Sequence, residues 1–375
     1  MFNPVASRIA GAGVALAIPL LIAALTGCAS KAAVGPAERP LVVFPLPPDT
    51  PRVQFLTAFG TSEDVEAPRS PSFWERLLGE KEEKKPVAAI IKPYGVTILN
   101  GRIYVCDTVL GGINVLDVRL GRFEQWKPTG LGKLVTPVNC HGDPLSGKLY
   151  VADTGREQVI VFDTTGAYVT SLGERKGSRP VDVFVHEDRI WVAYFGLREV
   201  RSYAIEDHRL LSTLPNRDAP VEEQIRGPTN IWVADDQVYV SDFGASQVKI
   251  YTTAGEFVRA VGSYGDALGQ FARPKGIAVD RDANLFVVDA AFQNVQIFNN
   301  EGALLMFFGG PYEGPGTMWL PAKITVDYDN LDLFQSYVDR NFELQFLILV
   351  TNQYGPDKVS VYGFVKARQS DDVPG

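Results

Sequence analysis

The sequence predicts an all-β chain: a six-bladed β-propeller with its N-terminal strand completing the last blade, plus short helical insertions. Three observations carry that prediction. One pattern is written six times, each copy opened by a proline, at Pro93, Pro137, Pro180, Pro228, Pro274 and Pro321. The gaps are 44, 43, 48, 46 and 47 residues, within the range of repeat architectures. Each copy then alternates apolar and polar residues between turn signals, as strands of a blade do.

The fifth copy shows the elements in order. Ile277 and Val279 alternate, and Asp280 to Asn284 turns the chain. Leu285 to Val288 is a second strand, ended by Asp289, whose carboxylate can accept hydrogen bonds from the turn amides that follow. Val295 to Phe298 alternates again, Asn299 to Gly302 makes a tight turn, and Leu304 to Phe308 is the fourth strand. Apolar residues fall on both faces, so one blade cannot bury itself, and stacking neighbours around an axis solves this. The sixth copy ends near Val365 with three strands made. Arg52 to Gly60 resembles the other fourth strands and is expected to pair with Ser360 to Phe364, removing an exposed sheet edge.

Two segments break the period. Residues 61–92 form an insertion in which Ser72 to Gly79 reads as a short amphipathic helix, better suited to covering the ring than to a membrane. Residues 329–343 form an insertion in blade six, where Asn330 to Val338 reads as a short helix. The propeller is assigned to residues 52–366, and 367–375 is a polar tail.

The N-terminal end has a different character. Arg8 precedes an apolar run from Ile9 to Leu25, then Leu25-Thr26-Gly27-Cys28. This resembles a bacterial lipoprotein signal: 1–27 is removed and Cys28 takes the lipid, anchoring the chain to membrane. The structural alternative is an uncleaved span, which the run is barely long enough to make. Ala29, rather than Asp, after the cysteine resembles the sorting pattern of outer-membrane lipoproteins. Residues 28–51 are rich in Ala and Pro and read as a tether. The expected location is the bacterial cell envelope. The formal charge of −8 argues against nucleic acid as partner. Export makes a disulfide between Cys106 and Cys140 chemically possible, but other copies hold small residues where Cys106 sits, which favours a buried free thiol. Without a Cys-x-x-Cys-His run, no attached c-type haem is expected.

Gly269 to Asp280 with Leu285 to Asp289, and Gly147 to Gly155, resemble the NHL repeat, and the resemblance runs from about Arg52 to Lys366. It implies a six-bladed propeller, while relatives range from lyases and hydrolases to interaction scaffolds. The signal and the two insertions resemble bacterial NHL-repeat envelope lipoproteins of unestablished role. Amidating lyases of this kind hold zinc with funnel histidines. Here the residues after the prolines are Tyr94, Val138, Val181, Thr229, Lys275 and Ala322, and His141, His186 and His208 are placed where they are not expected to converge.

Lactonase-like relatives hold calcium with Asn, Asp and Glu. Two residues after each proline stand Gly95, Asn139, Asp182, Asn230, Gly276 and Lys323. Asn139, Asp182 and Asn230 are therefore the candidate metal ligands if this position faces the axis, opposed by the positive charge of Lys323. The blander reading is a wet channel lined by polar residues. The remaining candidate is a binding face at the proline end of the ring, where Arg156, Arg198, Phe243 and Phe292 follow the second strands and Tyr264, Phe271, Tyr312 and Trp319 precede the prolines. The favoured expectation is an anchored binding or scaffold module for an envelope protein or glycan, with no cofactor. The alternative is a calcium-dependent lactonase-like hydrolase.

Overall fold

The computed structural model describes residues 40–66, 86–173, 176–216 and 218–368. Cys28, the segment before it and the helix expected at Ser72 to Gly79 lie outside them. The described residues form six antiparallel sheets, one per blade. Blade one is typical: Pro93–Leu99, Arg102–Asp107, Gly112–Asp117 and Arg122–Trp126, paired in that order.

All six first strands begin at the repeated proline: Pro93–Leu99, Pro137–Asp143, Pro180–His186, Pro228–Ala234, Pro274–Val279 and Pro321–Asp327. Proline has no N–H to give a ladder, so a strand start suits it. In every blade the pairing with the second strand shifts register just after that proline. A bulge re-aims the side chains beside it. The two residues after each proline are the ones that meet around the axis.

The ring closes as the sequence predicts. Val53–Phe59 pairs with Val359–Ala367, in a register running from Val53 opposite Phe364 to Phe59 opposite Val359. Phe55 packs edge-on against Tyr362 at 5.5 Å between ring centroids. One strand was not anticipated. Val43–Phe44, in the stretch read as tether, pairs with Gln54 and Val53 and gives blade six a fifth strand. The blade-six insertion holds two 3-10 turns, Leu331–Leu333 and Gln335–Tyr337, in place of the expected helix. It is tied down from both sides. Gln54 donates to the Tyr337 carbonyl at 2.9 Å and accepts from the Asp339 amide at 3.1 Å, while Phe334 is buried against Phe59.

The core lies between blades. Leu99, Tyr104 and Val115 of blade one pack with Leu149, Val151 and Ile160 of blade two, and similar clusters fill each seam. At the closing seam, Leu56, Leu347 and Val361 of blade six meet Val96, Ile103 and Val105 of blade one. Cys106 and Cys140 are free thiols buried in the first of these seams, with the Cys140 thiol 3.8 Å from the Tyr104 carbonyl oxygen. Burial pushes the Cys106 thiol well above its ordinary value.

Candidate functional site

The second strands end in a carboxylate that does more than turn the chain. Asp289 accepts the Ala291 and Phe292 amides of its own turn at 2.8 and 3.2 Å, as the sequence suggests. It also accepts the Ala272 amide at 2.8 Å and the Arg273 amide, across in the loop before Pro274. Asp107 holds the Ile91 and Lys92 amides in the same way, Asp153 holds Val135 and Thr136, and Asp242 holds Arg226 and Gly227. Asn352 does this for Trp319 in blade six. Blade three has Tyr194 at this position, and its loop is held instead by the Phe195 and Gly196 amides on the Arg179 and Ser178 carbonyls. Each strand end thereby fixes the backbone entering the opening proline of its own blade.

Those pre-proline positions carry Lys92, Arg179, Arg226 and Arg273. The candidates expected from these loops were aromatic, Tyr264, Phe271, Tyr312 and Trp319, and the cations beside the prolines were not among them. A basic residue one or two places before a repeated proline, in four of six copies, was the available signal.

Inside the channel, three of the four axial polar residues are joined directly. Lys323 of blade six reaches across to Asp182 of blade three, Nζ to Oδ2 2.6 Å, and both are buried. Asp182 also accepts from the Ile231 amide at 2.8 Å, the Asn230 side chain at 3.3 Å and the Val183 amide at 3.0 Å. Burial pushes the Asp182 carboxyl up, against the pull of Lys323 and these amides. Asn139 donates to the Val181 carbonyl at 2.9 Å, tying blade two to blade three. The side-chain carbonyl oxygens of Asn139 and Asn230 are buried without a protein partner. Gly95 and Gly276 complete this level. A Cβ on Gly95 would lie 2.5 Å from the Asn139 Cα, and one on Gly276 would lie 2.7 Å from the Lys323 Cα. The blades approach too closely here for any side chain.

These residues do not fit a hard cation. Calcium takes 6–8 oxygen ligands at about 2.3–2.6 Å. The set offers one carboxylate, and Lys323 Nζ already stands where a cation would sit on it. Among the described residues no cluster of three or more His, Cys, Asp or Glu is arranged to hold a metal.

The far end of the channel opens into a pocket of about 560 Å³ lined by Thr97, His141, Phe184, His186, Trp232 and Tyr328, among others. Two of the three histidines therefore line one pocket, and the third lies apart from them. The register of the first strands brings them there: the His141 ring lies tilted against Phe184 at 4.2 Å between ring centres, and Phe184 meets Trp232 at 4.8 Å. His208 stays in the turn after Glu199–Ala204. Burial, with Lys323 adding repulsion, pushes His141 down to about 3.

At the proline end, the predicted face residues divide. Arg156 is committed to the fold, donating to the Leu131 and Lys133 carbonyls at 2.6 and 2.9 Å and to Gln158 at 2.8 Å. Phe271 is fully buried against Phe298. Phe292 is half-buried, whereas Arg198 and Phe243 are exposed, along with Tyr264, Tyr312, Trp319 and Tyr354. Lys275 and Tyr94 stand at the channel mouth, the Lys275 ammonium 5.2 Å from the Tyr94 ring centre. Burial, with Arg273 and Lys92 adding repulsion, pushes Lys275 down to about 8. Burial, with the Asp182 charge, pushes the Tyr94 hydroxyl well up.

The fold and this axial arrangement define a six-bladed β-propeller with a plugged channel. Comparison with known proteins agrees with the fold. Residues 221–305 match the family model DUF5128, described as a 6-bladed beta-propeller. No curated protein matches the chain. Among solved structures, a protein of unknown function from Bacteroides thetaiotaomicron is similar with a TM-score of 0.56 and 14% identity, over 84% of this chain and 76% of that one. A streptogramin B lyase matches with a TM-score of 0.50 and 15% identity, over 76% of this chain and 85% of that one. A catalytically inactive virginiamycin B lyase from Staphylococcus aureus, with quinupristin, matches with a TM-score of 0.51 and 12% identity, over 73% of this chain and 95% of that one. At these identities the likeness shows the fold alone.

Proposed function

We propose that this chain is an envelope lipoprotein of the NHL-repeat kind, anchored through Cys28, whose propeller holds a protein or glycan partner on its proline face. The observation that carries this reading over a calcium-dependent hydrolase is the Lys323–Asp182 pair. It occupies the axial position where a catalytic cation would be expected, and leaves the outward-facing residues for recognition. The exposed surface around the mouth supports it. Phe243 is 41% exposed, Tyr264 78%, Trp319 42% and Tyr354 56%, with Arg198 among them. Aromatic and arginine side chains are the residues that dominate recognition surfaces. Phe243 and Tyr354 lie just past strand ends and the Trp319 amide is held by Asn352, which lowers the ordering cost of binding.

The test is photocrosslinking in intact cells from Phe243 and Tyr264, with Leu145 in the turn at the opposite end of the ring as control. The expected result is a discrete adduct from the first two sites and none from Leu145. Adducts from Leu145 alone would move the binding surface to the other end. Cys28→Ser is expected to release the chain from the membrane fraction, and full retention would remove the anchor from the proposal.

A further inference from the structure

We propose that the mouth of the channel on the proline face is an oxyanion site, formed by Lys275, Lys92 and Arg273, that takes a carboxylate or phosphate group of the ligand. This rests on the reading of the proline face as the binding face and names the chemistry at its centre.

Lys275 follows Pro274 directly and turns into the mouth, mostly buried, over the face of Tyr94. Among the described residues no carboxylate forms an ion pair with it. The charges that act on it most are Arg273 and Lys92, both cationic. Lys92 lies over another ring, Nζ 5.9 Å from the centre of Tyr354. The carboxylates built into this region are engaged elsewhere. Asp107 and Asp289 hold the backbone amides of Lys92 and Arg273 themselves. Asp182, one residue further along its strand from the mouth, is held by Lys323.

Burying a charge without a partner is unfavourable, and proteins ordinarily pair or neutralise it. Here a chain of net charge −8 gathers three cations at one opening, Arg273 exposed at its rim, and among the described residues none of the three forms an ion pair. An oxyanion seated between them supplies the missing partner and gains charge-assisted hydrogen bonds in a partly dehydrated mouth. The amide latches hold two of the three cations in register before the ligand arrives. The Lys323–Asp182 pair beneath leaves the proline face as the entrance to this site.

The test reads Lys275 itself. The lysines of the full chain in detergent are labelled by reductive methylation with ¹³C, and Lys275→Arg identifies the Lys275 resonance. Its titration is followed in chloride, in inorganic phosphate and in acetate. An oxyanion in the mouth is expected to raise the pKa of Lys275 by about 1 unit, a tenfold preference for the protonated amine, while Lys366, exposed at the far end of Val359–Ala367, stays unchanged. Phosphate acting alone assigns a phosphate-type group, and acetate acting alone assigns a carboxylate. Arg273→Ala or Lys92→Ala is expected to reduce the shift. A Lys275 titration that neither anion moves would overturn the proposal. If that happens while crosslinks from Phe243 persist, the oxyanion site falls and the binding face stands. If Lys275 responds and the crosslinks are absent, the oxyanion site stands without the face reading.

Discussion

Lys323 Nζ lies 2.6 Å from Asp182 Oδ2, and the two residues come from opposite blades of the ring. Blade six and blade three share no sheet and no seam, so this pair is a strut across the channel. Removing one partner leaves the other charge buried. Asp182→Asn and Lys323→Met are each expected to lower stability by about 3–5 kcal/mol. The double variant is expected to recover much of that loss, because neither charge is then left alone. Chemical denaturation of the four proteins measures the coupling, and additive losses would remove the strut.

The axial charges also set a pH dependence. His141 is held near 3 in the fold, by burial and by Lys323 and His186, against Asp143 and a hydrogen bond with the Val185 backbone. An unfolded histidine titrates near ~6.5. Between these values the unfolded chain binds the extra proton, so stability rises with pH across that window and is lost as pH falls through it. His141→Gln is expected to flatten the acid limb of a stability–pH profile measured by denaturant unfolding. A limb of unchanged slope would place the acid sensitivity elsewhere.

The strand-end carboxylates are the local device that shapes the proline face. Asp289→Ala frees the Ala272, Arg273, Ala291 and Phe292 amides together. A buried amide left unpaired costs about 1–3 kcal/mol, and water reaching the loop recovers part of this. A net loss of about 2–4 kcal/mol is expected, with faster amide exchange at Ala272 and Arg273. Loss of stability without faster exchange at those two amides would mean that the latch is not what positions Arg273.

Much of the fold was legible because it repeats. A proline that opens a strand and an aspartate that closes the next recur at nearly fixed spacing, and local alternation defines the strands between. Phe55 opposite Tyr362 was legible as well, since Arg52 to Gly60 resembles the other fourth strands. Val43–Phe44 was hidden by its neighbours: a two-residue strand flanked by prolines has no period to read. The two 3-10 turns at Leu331 and Gln335 were read as one helix because apolar spacing alone does not separate the two geometries.

The axial residues were visible as a set, but their partners were not. Nothing local indicates that Lys323 spans the channel, or that Asp289 latches the loop ahead of its own blade. Arg156 reads as a surface arginine, yet its guanidinium caps the carbonyls of Leu131 and Lys133. The first is set by ring closure and the other two by a loop folding back on its own blade, and a single strand carries no trace of any of them.

Calcium separates the strut from a catalytic centre in one experiment. Thermal unfolding of the full chain in detergent is compared in chelator and in about 1 mM calcium, the upper range for extracellular calcium modules. A ligand that binds only the folded chain raises Tm by mass action. With Lys323 seated on Asp182, Tm is predicted to be the same in both conditions, for the natural chain and for Asp182→Asn. A calcium-dependent rise in Tm that Asp182→Asn abolishes would contradict the strut and restore the hydrolase reading.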